Sequence, residues 1–378
     1  MSKKILFIEN VASIKAISFY IAAAIAAQQC GFEFHVAYNA SDRTQEDVDE
    51  LKTKYNVVFH QIDFIRLPYD PRNLKAYRQV CRLINDEHFD LIHCNTPIGG
   101  VIGRLAGKKC KVERVLYEAH GFHFYDGAPK KNWLIYYPIE KWLARKTDAI
   151  ITINKEDFER ATCRFKLRNH GKVYYVPGVG IDLSQYKLDE STRAIKRTGL
   201  GLKDTDIFLI SIGELNKNKN NKVVIEALAN LNNRNLHYFL CGVGTEENEL
   251  RKMAKERNIC NQVHFLGYRT DVKELLKAAD IFVMPSIREG LSRSLMEAMA
   301  SGSVCVVSKI RGNTDLVAGT EFGYLCTSTE DYVDAIRSII YSDNIESKKN
   351  ACLERIKMFD MESVCEAIRR IYVEELEG

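Results

Sequence analysis

Residues 285–302 read Pro-Ser-Ile-Arg-Glu-Gly-Leu-Ser-Arg-Ser-Leu-Met-Glu-Ala-Met-Ala-Ser-Gly. The apolar run 281–284 before them has the length and composition of a buried strand, and Pro285 ends it. From about Ser292 the pattern turns helical, with Leu295, Met296 and Met299 at helical spacing and Gly302 as the stop. Strand, glycine-containing turn and helix N-terminus together hold anions in open α/β sheets. Free backbone N–H groups and the helix dipole both favour negative charge there. Glu289 and Glu297 bracket the turn with seven residues between them. A carboxylate beside an anion site is suited to accept hydrogen bonds from sugar hydroxyls. The same two residues also read as a surface and a helix glutamate with no ligand.

Outward from this stretch the chain alternates strand and helix. Upstream, strands are expected at 207–212, 236–241 and 263–266, with helices at 222–230, 246–257 and 272–278. The polar loop 213–220 follows the first of these strands, and Gly242-Val243-Gly244 follows the second. Downstream lie a strand at 304–308 and helices at 330–342, 346–357 and 362–375. The first half repeats the theme. Strands are expected at 4–9, 33–38, 57–62, 91–94, 112–118, 149–154 and 173–176, with helices at 17–29, 42–55, 73–87 and 130–147. Pro177-Gly178-Val179-Gly180 marks a hinge. The expectation is an α/β protein of two doubly wound, Rossmann-like domains, 1–178 and 179–357, with a ligand cleft between them. The first turn, 10–15, has no glycine, which counts against a dinucleotide-binding fingerprint.

A length of 378 residues allows two or three domains, each with its own core. The net charge of +4 is too small to argue for nucleic acid, but it is uneven. Residues 1–180 hold 27 Lys/Arg against 20 Asp/Glu, a net +7, leaving −3 for the rest. Ten of those basic residues fall in 101–146, Arg104 among them. The stretch 130–146 adds both tryptophans, Trp133 and Trp142. It reads either as a face for anionic lipid or as a core helix with a solvated basic side. The eleven cysteines are scattered, without metal or disulfide spacing, and read as reduced core residues. The N-terminus enters a strand directly, which argues against a signal peptide, and the run 16–27 is too short to span a bilayer. His120 follows a strand end, where it points into a cleft or is merely exposed.

The stretches Arg288-Glu289-Gly290-Leu291, Glu297-Ala298-Met299-Ala300-Ser301-Gly302 and the loop 213–220 resemble the retaining GT-B glycosyltransferases of family 4. His120-Gly121-Phe122-His123-Phe124-Tyr125 with Pro177–Asp182 is similar to the capsule and exopolysaccharide branch. The resemblance covers essentially the whole chain. It implies a hexosyltransferase-type enzyme acting on a nucleotide-sugar donor, a UDP-sugar in the first place. The acceptor is implied to be a glycan or an undecaprenyl-type lipid-linked glycan, in bacterial surface polysaccharide synthesis. It places the protein in the cytoplasm, peripheral on the inner face of the membrane through 130–146, with residues 358–378 packing back on the first domain.

Carried over by motif, Glu297 is the ribose ligand and Glu289 the donor-sugar ligand. Gly290, Leu291 and Ser292 are backbone donors to phosphate and sugar. Lys219 is the phosphate-binding lysine, following the strand-end Gly213. Gly242 and Gly244 let the chain pass close to the nucleotide, Arg269 meets the base and His120 reaches the donor sugar. Glu214 stands where the family has an arginine, so Lys217 or Arg293 is assigned to share the diphosphate's charge. No Asp-x-Asp sits at a strand end, and no metal or other cofactor is expected. The alternatives are a GT-B-fold sugar-nucleotide epimerase and a non-catalytic carbohydrate-binding homologue.

Overall fold

The computed structural model describes residues 2–10, 20–41, 44–341 and 345–377. The chain divides into two compact units, Met1–Gly180 with Met361–Gly378, and Ile181–Asp360. The domain boundaries expected at 178/179 and 357/358 therefore fall at 180/181 and 360/361. The first turn read at 10–15 lies, beyond Asn10, outside the described residues.

In the first unit seven parallel strands form one sheet. They are β1 (Lys4–Ile8), β2 (Glu33–Tyr38), β3 (Val58–Gln61), β4 (Leu91–Cys94), β5 (Arg114–Ala119), β6 (Ala149–Thr152) and β7 (Lys172–Tyr175). The order is β3-β2-β1-β4-β5-β6-β7. The central strands read as near-continuous apolar runs because both faces of the sheet are covered. On one face helix Tyr20–Gln29 brings Ala23, Ala24 and Ala27 against a core shared with Ile368 and Tyr372 of helix Met361–Glu377. The chain's last helix is thus part of the first unit's core.

Two helices of this unit were not anticipated. Pro97 opens helix Pro97–Lys109 directly after β4, and Asn154 caps helix Lys155–Arg164. The first is hidden in the sequence by its glycines, which are poor helix formers. Its packing explains them: a Cβ at Gly100 would meet the Tyr117 ring at 2.5 Å, and one at Gly103 would meet the Cys94 Cβ at 2.7 Å. Arg104, counted above with the basic residues, is fully buried on this helix. Its guanidinium lies over the Tyr117 ring at 3.8 Å and bonds Glu140 at 2.7 and 3.2 Å. Two cysteines correct the core assignment, since Cys163 and Cys260 are exposed.

The second unit carries six parallel strands. They are β8 (Ile207–Ile212), β9 (Leu236–Cys241), β10 (Val263–Gly267), β11 (Ile281–Met284), β12 (Val304–Ser308) and β13 (Gly323–Cys326). The last was not foreseen. The order β10-β9-β8-β11-β12-β13 reverses direction between β8 and β11. Open α/β sheets bind ligands outside the carboxyl ends of the strands at such a switch point. The loops after β8 and β11, at the switch point, are both among those that the sequence singles out.

Candidate active site

The loops at the β8 end are packed so closely that only glycine fits. Gly213 and Gly242 follow β8 and β9 with φ of 145° and 152°. A Cβ on Gly242 would lie 1.9 Å from the Gly213 carbonyl oxygen, and one on Gly244 2.3 Å from that of Leu215. The backbone bonds Gly213 N–H to Cys241 O and Leu215 N–H to Val243 O, both 3.0 Å, tie the two loops together. The close approach these glycines allow is thus between two stretches of chain.

The same loop reaches across to the turn after β11. Ile287 N–H donates to Asn218 O at 2.8 Å, and the Asn218 side chain donates to Arg288 O at 3.0 Å. Lys219 Nζ then lies 2.8 Å from Glu289 Oε1, with both side chains mostly buried. Ser211, Gly213, Lys219, Asn221, Met284 and Pro285 line a small cavity at this point. Two residues that the sequence reading missed hold the turn from the β12 side. Arg311 Nε donates to Glu289 O at 3.3 Å, and a Cβ on Gly312, at φ 79°, would sit 2.2 Å from Gly290 O. The available signal was an Arg-Gly pair just past a buried strand, parallel to that of the opening motif.

Ser292 caps helix Arg293–Ala300, its Oγ accepting from Leu295 N–H at 3.4 Å. The remaining first-turn N–H groups have no partner within the helix, the setting that favours an anion at a helix N-terminus. Glu297 sits one turn on, 3.0 Å from Arg293 Nε. Tyr186, another residue the sequence did not flag, is buried beside it. Burial and then the Glu297 carboxylate push its phenol pKa well up. Arg293 is therefore committed to Glu297, while Lys217 and Glu214 are exposed. Arg269 follows β10 and bonds Asp271 through Nε at 2.7 Å. That contact, against the effect of burial and with help from Lys196, holds the Asp271 carboxyl far below the usual range.

His120 belongs to the first unit, directly after β5. It is partly buried, with Nε2 3.2 Å from Glu118 Oε1. In the same unit helix Lys130–Ala144 sorts its aromatic residues by face. Trp133, Tyr136 and Tyr137 turn inward against the core, whereas Leu134, Ile135, Ile139 and Trp142 are exposed beside Lys130, Lys131, Lys141 and Arg145. Leu134 is 77% exposed and Trp142 50%. Lys146 lies over the Trp142 ring at 3.6 Å. Among the described residues no helix is long and apolar enough to cross a membrane, and no group of three or more His, Cys, Asp or Glu is placed to hold a metal ion.

Comparison with known proteins matches both units. Residues 192–355 match the family described as glycosyl transferases group 1, and residues 4–154 match glycosyl transferase 4-like. The chain is 37% identical over 330 residues to the protein named as glycosyltransferase EpsD of Bacillus subtilis (strain 168), spanning 86% of this chain and 84% of that one. It is 26% identical over 311 residues to UDP-Gal:alpha-D-GlcNAc-diphosphoundecaprenol alpha-1,3-galactosyltransferase of Escherichia coli, 80% of each chain. Among solved structures, Anabaena HepE in complex with UDP and glucose superposes with a TM-score of 0.79 at 20% identity, over 98% of this chain and 100% of that one.

Proposed function

The chain belongs to the family 4 glycosyltransferases of GT-B fold and is a hexosyltransferase-type enzyme, and from that premise we propose that it moves a sugar from a UDP-sugar to a lipid-linked acceptor with retention of anomeric configuration. The observation that carries this reading is the Lys219–Glu289 pair beside the N-terminus of helix Arg293–Ala300. It puts a cation, free backbone N–H groups and a hydroxyl-accepting carboxylate at one switch point.

Cleavage of the donor's anomeric C–O bond leaves a diphosphate and an oxocarbenium-like centre. Lys219 and the helix N-terminus would stabilise the charge on the departing diphosphate, which is the main electrostatic task. Glu289 would turn from Lys219 to the hydroxyls of the transferred sugar. Glu297, oriented by Arg293 and Tyr186, would hold the ribose. In this reading the donor phosphate takes the acceptor proton on the face that the leaving group vacates. The two glutamates are then binding groups, unlike the acid/base pair of glycoside hydrolases. No step in it calls for a metal.

An undecaprenyl-diphosphate-linked acceptor is supported by the E. coli relative's name and by the exposed Leu134 and Trp142 among cations, a pattern suited to the inner membrane face. The test is incubation with UDP-glucose, UDP-galactose and their N-acetylated counterparts, with and without a short-chain polyprenyl-diphosphate-GlcNAc. An α-linked product from an α-donor, assigned by NMR, supports retaining transfer. Inversion overturns the mechanism, and an epimerised nucleotide sugar without acceptor overturns transfer itself.

A further inference from the structure

Helix Asn73–Glu87 of the first unit treats its cations in two ways. Around its start Arg72 is paired with Asp70 and Lys75 with Asp63. Further along, Arg78 and Arg82 stand four residues apart on one side of the helix, both exposed. Among the described residues neither makes an ion pair. With Lys109, the last residue of helix Pro97–Lys109, they line an open cavity of about 480 Å³. Asp86 is the acid on its wall, and it too makes no ion pair among the described residues.

The cations continue past the cavity. Lys108, next to Lys109, lies close to Lys146: burial and then Lys108 and Arg145 lower the Lys146 pKa. Lys146 in turn covers the Trp142 ring at 3.6 Å. Trp142 belongs to the exposed apolar face of helix Lys130–Ala144, with Leu134 and Ile139. The basic surface and that apolar face are thus one continuous patch. Lys108 and Lys109 complement the dipole at the end of their helix, but Arg78 and Arg82 sit mid-helix and have no such role. Cations gathered without counter-charges repel one another, and a bound anion relieves that repulsion.

We propose that Arg78, Arg82 and Lys109 form a pocket for the phosphodiester headgroup of an anionic phospholipid such as phosphatidylglycerol, and dock the first unit on the bilayer together with the apolar face. Guanidinium groups one helical turn apart suit phosphate oxygens, which they bind in pairs, and the Asn85 amide on the same wall can donate to a glycerol hydroxyl. Continuity with Trp142 favours a lipid over a free phosphate. A bilayer presents phosphates and, just beneath them, the interface that indole and aliphatic side chains enter. A soluble phosphate would leave the apolar part of the patch uncovered. The inference rests on the membrane contact proposed for helix Lys130–Ala144, and it names the lipid group and the residues that take it.

The test separates recognition of the headgroup from general attraction, by sedimentation with phosphatidylcholine vesicles with and without phosphatidylglycerol. Arg78→Lys with Arg82→Lys keeps every charge but loses the paired grip, and should weaken binding to the phosphatidylglycerol vesicles at least about fivefold. Arg78→Gln with Arg82→Gln removes the charge as well and should weaken it about 30-fold, at about fivefold per cation. Dihexanoylphosphatidylglycerol below its micelle concentration should raise the Tm of the wild type and not of the lysine variant, and dihexanoylphosphatidylcholine should leave both unchanged. UDP affinity at the wild-type level, by calorimetry, shows that each variant is folded. Equal binding of wild type and lysine variant to the phosphatidylglycerol vesicles overturns the pocket. A Tm response to inorganic phosphate or glycerol 3-phosphate as large as that to the short-chain lipid overturns the lipid as its occupant. A wild type that ignores phosphatidylglycerol vesicles altogether overturns the membrane contact itself.

Discussion

Lys219 Nζ and Glu289 Oε1 stand 2.8 Å apart, so the residue assigned to the diphosphate is bound to the one assigned to the sugar. For a mostly buried pair of this kind the cost of desolvating both charges offsets much of their attraction. Its value lies in holding two long side chains ready. A diphosphate offers Lys219 more negative charge than one carboxylate does, so donor binding should draw the pair apart. Lys219→Ala should weaken UDP binding on the order of 30- to 100-fold, the equivalent of one lost charge-assisted hydrogen bond. Glu289→Gln should leave UDP affinity within about threefold, since it removes a competitor for Lys219, and yet depress transfer strongly. Calorimetry with UDP and initial rates separate the two. Equal loss of affinity in both variants would refute the division of roles.

Glu297 and Lys219 should be distinguishable with uridine. A ribose ligand acts on the nucleoside, a phosphate ligand does not. Glu297→Ala is expected to cost about 2 kcal/mol in the binding of UDP and uridine alike, and Lys219→Ala to affect UDP alone. Arg293→Ala, which releases Glu297 from its 3.0 Å contact, should reproduce a fraction of the Glu297 effect on both ligands. Competition by unlabelled uridine against a fluorescent UDP analogue measures all three.

Gly312 supports the turn from a different strand end. Its φ of 79° and the 2.2 Å approach to Gly290 O leave no room for a side chain. Gly312→Ala should push Gly290 aside, at a cost of about 1–3 kcal/mol for overpacking, and reduce UDP affinity. Chemical denaturation and calorimetry on one preparation check both. Full UDP affinity in a destabilised variant would show that the 289–292 turn does not depend on this support.

Gly312 also shows where sequence reading stops. The strand, turn and helix of 281–302 were legible because each is encoded locally, by an apolar run, a Ser cap and helical spacing. Gly312 and Arg311 touch that turn only because β12 lies next to β11, a fact of topology. Tyr186 beside Glu297 and Tyr372 behind His93 are long-range contacts of the same kind. Helix Pro97–Lys109 was missed for the opposite reason. Its glycines oppose helix locally, and packing on Tyr117 and Cys94 overrides them. In helix Lys130–Ala144 both faces carry large apolar residues, so periodicity could not tell that Trp133 faces inward and Trp142 outward.

The Arg104–Glu140 pair fastens that helix to its unit. Arg104 is completely buried, and removing one partner of a buried pair leaves an uncompensated charge. Glu140→Gln should destabilise by about 3–5 kcal/mol, whereas Arg104→Met with Glu140→Leu should recover most of that loss. Urea unfolding of the two variants decides. A neutral single variant would mean that Tyr117 stacking and the Gly100 carbonyl satisfy the guanidinium alone.

The outer face of the same helix makes the membrane reading testable residue by residue. Lys130, Lys131, Lys141 and Arg145 are exposed around Leu134, Ile139 and Trp142, while Lys146 is drawn in over the Trp142 ring. Each exposed cation near an anionic surface contributes about 1 kcal/mol, so changing the four to Glu should abolish binding to vesicles containing phosphatidylglycerol. Trp142→Ala with Leu134→Ser should weaken binding to anionic and neutral vesicles alike, because it removes the apolar contribution. Raising salt should mimic the charge reversal, since surface attraction is screened within about 10 Å at 0.1 M. None of these residues lies in the second unit, so UDP binding should stay at the wild-type level throughout. Sedimentation with vesicles at two salt concentrations supplies the measurement. Binding that ignores both the reversal and the salt would place the acceptor's membrane contact on some other surface of the chain.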